Sequence, residues 1–433
     1  MTACNNGRAR RGIAVLALGA VLALGAAGPG SPARAQQDEG LPLGTSNLMD
    51  QLRDMGLTPE QEGMDPQGLE GGSGSGGGGL LDRYLSDRAA EDAARRAAAN
   101  DPGEPVLHLP PALIPDVRHE LRLIVQELAR YARQRDPRFA ILVRGGAPLV
   151  FRSEREAVLE AARAAAAGRP VVPPDSPAAG VGDPAAGFLN AVDGLMLDGQ
   201  FCGEPPVSDE ALAEMAAMNL VLISIDHCRD PDTVAEARRL ADAAGVMIHA
   251  DTDPDGRLNT VPPERPRPGN AANVSGLHQV RSVMVLEDAG AFGDSSLIVG
   301  ALRDTNHDLV IIDPFALGDI AFGREDVAAM KYKKLGARRM VIASFDIAMA
   351  HETAYYWQPD WTLGDPRWLQ ATARGRPGAY FTAFWDPAWK SQIGAFFAAI
   401  MDLGYDGIML DGLDALHRWE AIMPVPETAM SGQ

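Results

Sequence analysis

Asp198, Asp226, Asp313 and Asp411 each end a short apolar run: Leu195-Met196-Leu197, Leu220 to Ile225, Leu309 to Ile312 and Gly407 to Leu410. A buried run ending in an acid is how a parallel barrel strand delivers a carboxylate to the mouth of its barrel. Carboxyl groups held in pairs supply acid/base chemistry and nucleophiles. Asp313 and Asp226 are expected to line the pocket. Asp414 reads as a helix-start residue that can also face it. Asp406 precedes its strand and reads as a turn or cap. Asp346 and His351 follow the run Met340 to Phe345 and add a carboxylate and an imidazole. Trp357, Trp385 and Trp389 can stack on a ligand ring or pack the barrel.

Other chemistries find little support. Asp251-Thr252-Asp253-Pro254-Asp255-Gly256 has a calcium-loop beginning, but Pro262 stands where the twelfth-position Glu belongs and Pro254 stiffens the loop. An acidic turn without metal is the expectation there. No nucleotide loop, serine nucleophile elbow or zinc spacing is present. No cofactor is expected.

The acids need strands to carry them. Val117, Leu121, Ile124, Val125 and Leu128 recur at helical spacing and predict an amphipathic helix through about Gln134. Buried strands are expected at Phe139–Val143, Val192–Asp198, Leu220–Asp226, Val283–Leu286, Leu309–Ile312, Met340–Phe345, Ala379–Phe384 and Gly407–Leu410, with a shorter one at Val246–Ile248. Helical segments (154–167, 231–244 and 389–401 among them) lie between most of them. Strand–helix alternation with eight such units implies an α/β fold, a single (β/α)8 TIM barrel over 105–425. The Pro-rich passage from Pro262 to Pro268 is the alternative place for a boundary between two half-size domains. Each half would then have too few strands to close.

The chain of 433 residues carries a net charge of -19, which argues against nucleic acid and anionic membranes and fits a neutral or cationic ligand. Arg8, Arg10 and Arg11 precede an apolar segment from Ile13 to Ala27, and Ala33-Arg34-Ala35 offers a cleavage site. Residues 1–35 therefore read as a signal peptide, with no membrane contact beyond it and a periplasmic or secreted product. Residues 36–104, with the glycine tract around Gly71 to Gly79, read as a disordered linker. Cys4 would leave with the signal, and Cys202 and Cys228 can form one disulfide across neighbouring loops in an oxidising compartment.

The second half resembles a known family. Val341-Ile342-Ala343, Tyr355-Tyr356-Trp357, Phe384-Trp385-Asp386-Pro387-Ala388-Trp389, Gly404-Tyr405-Asp406-Gly407-Ile408-Met409-Leu410-Asp411 and Leu309 to Pro314 are similar to the endo-α-1,4-polygalactosaminidases. This is glycoside hydrolase family 114, a (β/α)8 family that also holds proteins once labelled cysteinyl-tRNA-synthetase-related. The first half resembles the family's last part: Phe139 to Gly146 its sixth strand, Val192 to Gly203 its seventh and Val221 to Cys228 its eighth. The order implies a circular permutation, with strands six to eight placed before strands one to five. A rearranged barrel or two half-barrels are the alternatives.

The resemblance implies hydrolysis of an α-linked, amino-sugar-rich polysaccharide by two carboxyl groups. Carried over, these are Asp411, as nucleophile, and Asp198, as acid/base. Asp198 replaces the family's Glu, which shortens its reach by roughly 1–1.5 Å. Met349 and Ala354 stand where the family has a sugar-contacting Glu and an Arg, and Arg144-Gly145-Gly146 replaces its Gln-Asn-Gly. The implied partner is a polysaccharide, with the oligomeric state open. The alternatives are a catalytically inactive carbohydrate-binding barrel of envelope or matrix, and a tethered scaffold that binds no saccharide.

Overall fold

A computed structural model describes residues 106–426, apart from 254–255, 263–264, 318–320 and 374–375. The signal and linker expectations for 1–35 and 36–104, and Cys4, lie outside these residues. Among the described residues no helix is long and apolar enough to cross a membrane.

The chain opens with α1 (Val117–Arg135), β1 (Ala140–Arg144), α2 (Glu154–Ala166), the single turn α3 (Ala186–Leu189), β2 (Gly194–Asp198), α4 (Asp209–Ala217), β3 (Val221–His227), α5 (Pro231–Ala244) and β4 (Met247–Asp251). After the Pro-rich passage come β5 (Val283–Leu286), α6 (Ser295–Arg303), β6 (Leu309–Ile312), α7 (Arg324–Met330) and β7 (Met340–Asp346). Three short strands follow, β8 (Met349–His351), β9 (Leu369–Thr372) and β10 (Ala379–Thr382), then α8 (Pro387–Leu403), β11 (Gly407–Asp411) and α9 (Ala415–Ile422).

Eight parallel strands form a nearly closed barrel sheet in the order β4-β3-β2-β1-β11-β7-β6-β5, as expected of a (β/α)8 fold. Read round the ring, the strands keep their chain order. One sheet spans both sides of the Pro-rich passage, which overturns the two half-barrels, and the sequential order overturns a rearranged one. A ring kept in chain order looks the same whichever strand comes first, so a permutation leaves no mark on this topology. At the seam between β4 and β5 the Glu287 amide donates to the Leu258 carbonyl at 2.9 Å. The first and last described segments also meet: the Leu107 amide donates to Ile422, and the buried Arg118 pairs with Glu420 at 2.8 Å.

The strand count needs one exchange. Ala379–Thr382 leaves the barrel and forms the middle of a three-stranded antiparallel sheet, β8-β10-β9. The barrel strand in its stead is the short run near Val246, which pairs with β3 from Met247 to Asp251. His249 and Asp251 interrupt its apolar pattern, so it reads weakly in the sequence.

Alternation along the strands splits the core in two. Leu142, Met196, Ile225, Val285, Ile311, Ile342 and Met409 cluster inside the barrel, where Val274, Leu277 and Val280, from the segment that follows the Pro-rich passage, pack against them. Ile141, Val143, Leu195, Val310, Ile408 and Leu410 join the cluster that includes the helices. Gly194 and Gly407 sit where a Cβ would lie 2.4 Å from the Val221 carbonyl and 2.5 Å from that of Ala140, so the neighbouring strand leaves no room for a side chain there. Asp406 is structural as expected: it accepts from Lys331 at 2.8 Å and from the Val341 amide at 3.0 Å. Cys202 and Cys228 form the disulfide, with Cα atoms 5.4 Å apart, and tie the loops after β2 and β3.

Candidate functional site

Strand parity decides which terminal acids reach the mouth. Leu142, Met196, Val285, Ile311 and Met409 point inward, so the side chains two residues on do as well. Those residues are Arg144, Asp198, Glu287, Asp313 and Asp411, and all of them line one cavity of about 650 Å³. Asp346, His351 and Asp414 line it too, so these expected site residues are brought together with Asp411, Asp198 and Asp313.

Asp226 is a correction. Its neighbour Ile225 takes the inward direction, which turns Asp226 outward, fully buried. It accepts the amides of Phe201 and Cys202, each at 2.7 Å, and the Ser224 hydroxyl. It therefore shapes the loop after β2 and does not line the cavity. Parallel barrel strands are apolar on both faces, so the sequence carried no alternation from which to read this parity.

Trp357 and Trp385 are also corrections. Trp357 stacks on Tyr380 at 5.0 Å and meets Trp361 edge-on, while Trp385 packs against Phe384 and Trp419. Trp389 is fully buried and donates its indole N–H to the Ile347 carbonyl at 2.8 Å. All three serve the packing of the small sheet and of α8 and α9. The aromatic wall of the cavity is Tyr355, Tyr356, Phe315, Phe345 and Phe396 instead. Tyr355 lies nearly parallel to Phe315 (5.9 Å, 8°) and to Phe396 (5.2 Å, 19°).

The centre of the site is Arg144, at the end of β1. Its Nε and Nη2 donate to Asp198 at 3.0 and 2.7 Å, and its Nη1 to Glu287 at 2.8 Å and Asp411 at 3.2 Å. Burial works against its charge, yet Asp411, Glu287 and Asp198 together raise its pKa well above the ordinary value. A guanidinium that spans three carboxylates fixes their relative positions with its planar fork.

The acids do not share one protonation state. Burial pushes Glu287 up to about 7, against the pull of Arg144 and with help from Asp411, Asp313 and Asp198. Burial also raises Asp313 to about 6, although the Phe315 amide and His351 oppose it. Asp414 reaches about 6 through burial and the nearby Asp411. Such displaced carboxyls, gathered in a cavity, are groups suited to proton transfer near neutral pH.

Asp346 is paired in register with Asp411 across β7 and β11. Its Oδ1 accepts the amides of Ala348 at 3.0 Å and Met349 at 2.8 Å, and its Oδ2 lies 3.2 Å from His351 Nε2. Gly412 makes room for it: at φ +79° a Cβ there would fall 2.0 Å from Asp346 Oδ1. Asp414 occupies the first position before α9 without a side-chain capping bond, so its carboxyl is available to the cavity. Arg376, from the β9–β10 connection, also lines the cavity.

Sequence reading missed Glu287, Arg144 as a site residue, Tyr355 and Arg376. Glu287 had a signal, since Val283–Leu286 followed by an acid repeats the pattern of the other strand ends. Arg376 had none, because the small sheet that delivers it is formed by long-range pairing.

Asp251 and Asp253 of the acidic turn serve local roles: Asp251 lies 3.1 Å from His227 Nδ1 and accepts the Asp253 amide at 3.0 Å. Pro254 and Asp255 lie outside the described residues.

No family model matches the chain. It is 30% identical over 120 residues to an uncharacterized protein of Deinococcus radiodurans, covering 28% of this chain and 37% of that one. It is 31% identical over 78 residues to an uncharacterized protein of Thermotoga maritima, covering 18% and 24%. An uncharacterized protein of Methanocaldococcus jannaschii is 27% identical over 121 residues, covering 28% and 34%. The matches thus span 24–37% of these relatives' lengths.

Proposed function

We propose that the chain is an exported glycoside hydrolase acting on an α-linked amino-sugar polysaccharide, as its resemblance to the polygalactosaminidases, circularly permuted, implies. The observation that carries the reading is the split among the carboxyls at one barrel mouth. Asp411 sits against a guanidinium at 3.2 Å, while Glu287, bound to the same guanidinium, is pushed up to about 7. Glycosidic hydrolysis needs this division, one carboxylate to attack or activate water and one carboxylic acid to protonate the leaving oxygen.

In this reading Asp411 is the nucleophile or base and Glu287 the acid. Asp198, to which the resemblance gave the acid role, holds Arg144 with both its oxygens and so positions the other two. Tyr355, half-exposed beside the acids, offers a flat face for a sugar ring. The excess of acids in the cavity suits a cationic, partly deacetylated polymer. The Cys202–Cys228 disulfide supports action outside the cytoplasm.

The test is reducing-end release by the purified protein from partly deacetylated α-1,4-galactosamine polymer, beside fully acetylated and neutral polymers. Asp411→Asn is expected to lower turnover by at least about 10²-fold with oligosaccharide binding retained. A second reading, a binding barrel without turnover, is favoured by Arg144 already engaging three carboxylates. It predicts binding without release from any polymer, and no difference between wild type and Asp411→Asn in release.

A further inference from the structure

The reaction just described leaves one built constellation unused. Asp346 and His351 stand at the mouth beside Asp411, and four features fix them. The β7–β11 register sets Asp346 next to Asp411, two amides pin one oxygen of Asp346, and Gly412 clears its space. The backbone of His351 is held as well, its amide donating to the Tyr356 hydroxyl at 3.3 Å, and Tyr356 is buried edge-on against Trp389.

Nε2 lies 3.2 Å from Asp346 Oδ2, Nδ1 has no hydrogen bond among the described residues, and His351 lines the cavity. The Asp346 side chain is 14% exposed and that of His351 38%, so the carboxylate is the buried anchor and the imidazole the presented group. The same order, a carboxylate that orients an imidazole, recurs wherever a histidine must keep one tautomer and one direction.

We propose, resting on the saccharide reading above, that His351 is a substrate-contacting residue that donates from Nδ1 to a sugar oxygen in the cavity, and that Asp346 is the residue that positions it. The contact is a hydrogen bond with no net proton transfer, and it forms only when the ring is cationic, because the neutral ring keeps its one proton on Nε2 facing Asp346. Burial alone would drive the imidazole neutral, but the Asp346 hydrogen bond and charge, with Asp313 and Asp411 facing the ring, raise its pKa above the usual 6.5. The His351 contribution to binding is therefore full in mildly acidic solution and is lost as the pH rises through the histidine's midpoint, while ionisation of Asp313, Asp414 and Glu287 near pH 6 to 7 acts in the opposite sense on a cationic ligand. Glu287, by contrast, governs the chemical step, so the two groups separate into KM and kcat.

The experiment uses the full chain and a partly deacetylated α-1,4-galactosamine oligosaccharide. Calorimetric binding and reducing-end release are followed from pH 5 to 9 for wild type, His351→Gln and Asp346→Asn, and the imidazole is titrated by NMR. For His351→Gln the proposal expects about 10-fold or more weaker binding at pH 5–6, little change in kcat and loss of the limb of binding that falls through the histidine's midpoint. In Asp346→Asn the imidazole midpoint and the binding limb are expected to move down together. Wild-type binding by His351→Gln at pH 5–6, or a midpoint that moves while the limb stays, overturns the proposal with the saccharide reading intact. If wild type neither binds nor cleaves the oligosaccharide, the saccharide reading fails and takes the proposal with it. His351→Gln leaves the Asp346 amide contacts in place, so it decides the matter even where Asp346→Asn fails to fold.

Discussion

The two ends of the barrel hold the same kinds of groups to opposite effect. At the N-terminal end of the strands, Lys333 pairs with Asp308 and also donates to the carbonyls of Asn270 at 2.9 Å and Ala272 at 3.0 Å. Asp308 spends its other oxygen on Asn270 Nδ2 at 3.1 Å and the Arg281 amide at 2.8 Å. Their side chains are 1% and 0% exposed, one cation to one anion, with every partner supplied by protein. At the C-terminal end one guanidinium faces three carboxylates, further acids stand near, and the whole opens on a cavity. Balanced and sealed charge fastens the segment that follows the Pro-rich passage, at Asn270, Ala272 and Arg281, under the barrel. Unbalanced charge at an opening keeps protons within reach of exchange.

The largest effect expected from breaking this comparison is at the sealed end. Asp308→Ala leaves the Lys333 ammonium buried without its anion, which costs about 3–5 kcal/mol. Denaturant unfolding should show the loss, while activity per folded molecule stays at the wild-type level. An unchanged midpoint would mean that the lower pair is not the fastening described.

At the open end Glu287→Gln should act in the reverse sense on stability. The folded-state pKa of Glu287 is about 7 against an ordinary 4.5, so protonation favours the fold. That contribution is complete below about pH 4.5 and is lost as the pH rises to about 7, for a total on the order of 3 kcal/mol. Glutamine stays neutral throughout. The variant should match wild type near pH 4, exceed it in thermal stability at pH 8, and release little product. Wild-type turnover should itself fall as the pH passes about 7. A variant destabilised equally at both pH values would show that Glu287 is an ordinary ion-pair partner, like Asp308.

Much of the fold was legible because buried parallel strands and amphipathic helices repeat at readable periods. Val117–Arg135, Glu154–Ala166 and Pro231–Ala244 lie within a residue of the expected helices. What failed were two runs of similar look. Ala379–Thr382 has the length and apolar content of a barrel strand, but its partners Met349–His351 and Leu369–Thr372 are set by tertiary pairing. Met247–Asp251 looks too polar, because His249 and Asp251 sit on its inward-facing side. The site followed the same division. Asp198, Asp313 and Asp411, which end inward-parity strands, were found and Glu287 was passed over, whereas Asp226 was misplaced because an all-apolar strand hides its parity. The aromatic expectation failed on packing: Trp357 and Trp385 are partly buried against other aromatic rings, Trp389 is fully buried, and Tyr355 is the ring left at the cavity.

The smallest effect concerns that tyrosine. Tyr355 is 48% exposed and is backed by Phe315 and Phe396, so its outer face is rigid and costs little entropy to cover. A ring stacked there adds about 0.5–1.5 kcal/mol, and Tyr355→Ala should raise KM about 2- to 10-fold with kcat nearly unchanged. Tyr355→Phe should keep KM within about 2-fold, since the face and not the hydroxyl makes the contact. These variants sharpen the contrast at the mouth itself, where the aromatic side binds and the acid side reacts. If Tyr355→Ala instead lowered kcat as Glu287→Gln does, the stack would be setting the acids' geometry, and the two sides would have to be treated as one unit.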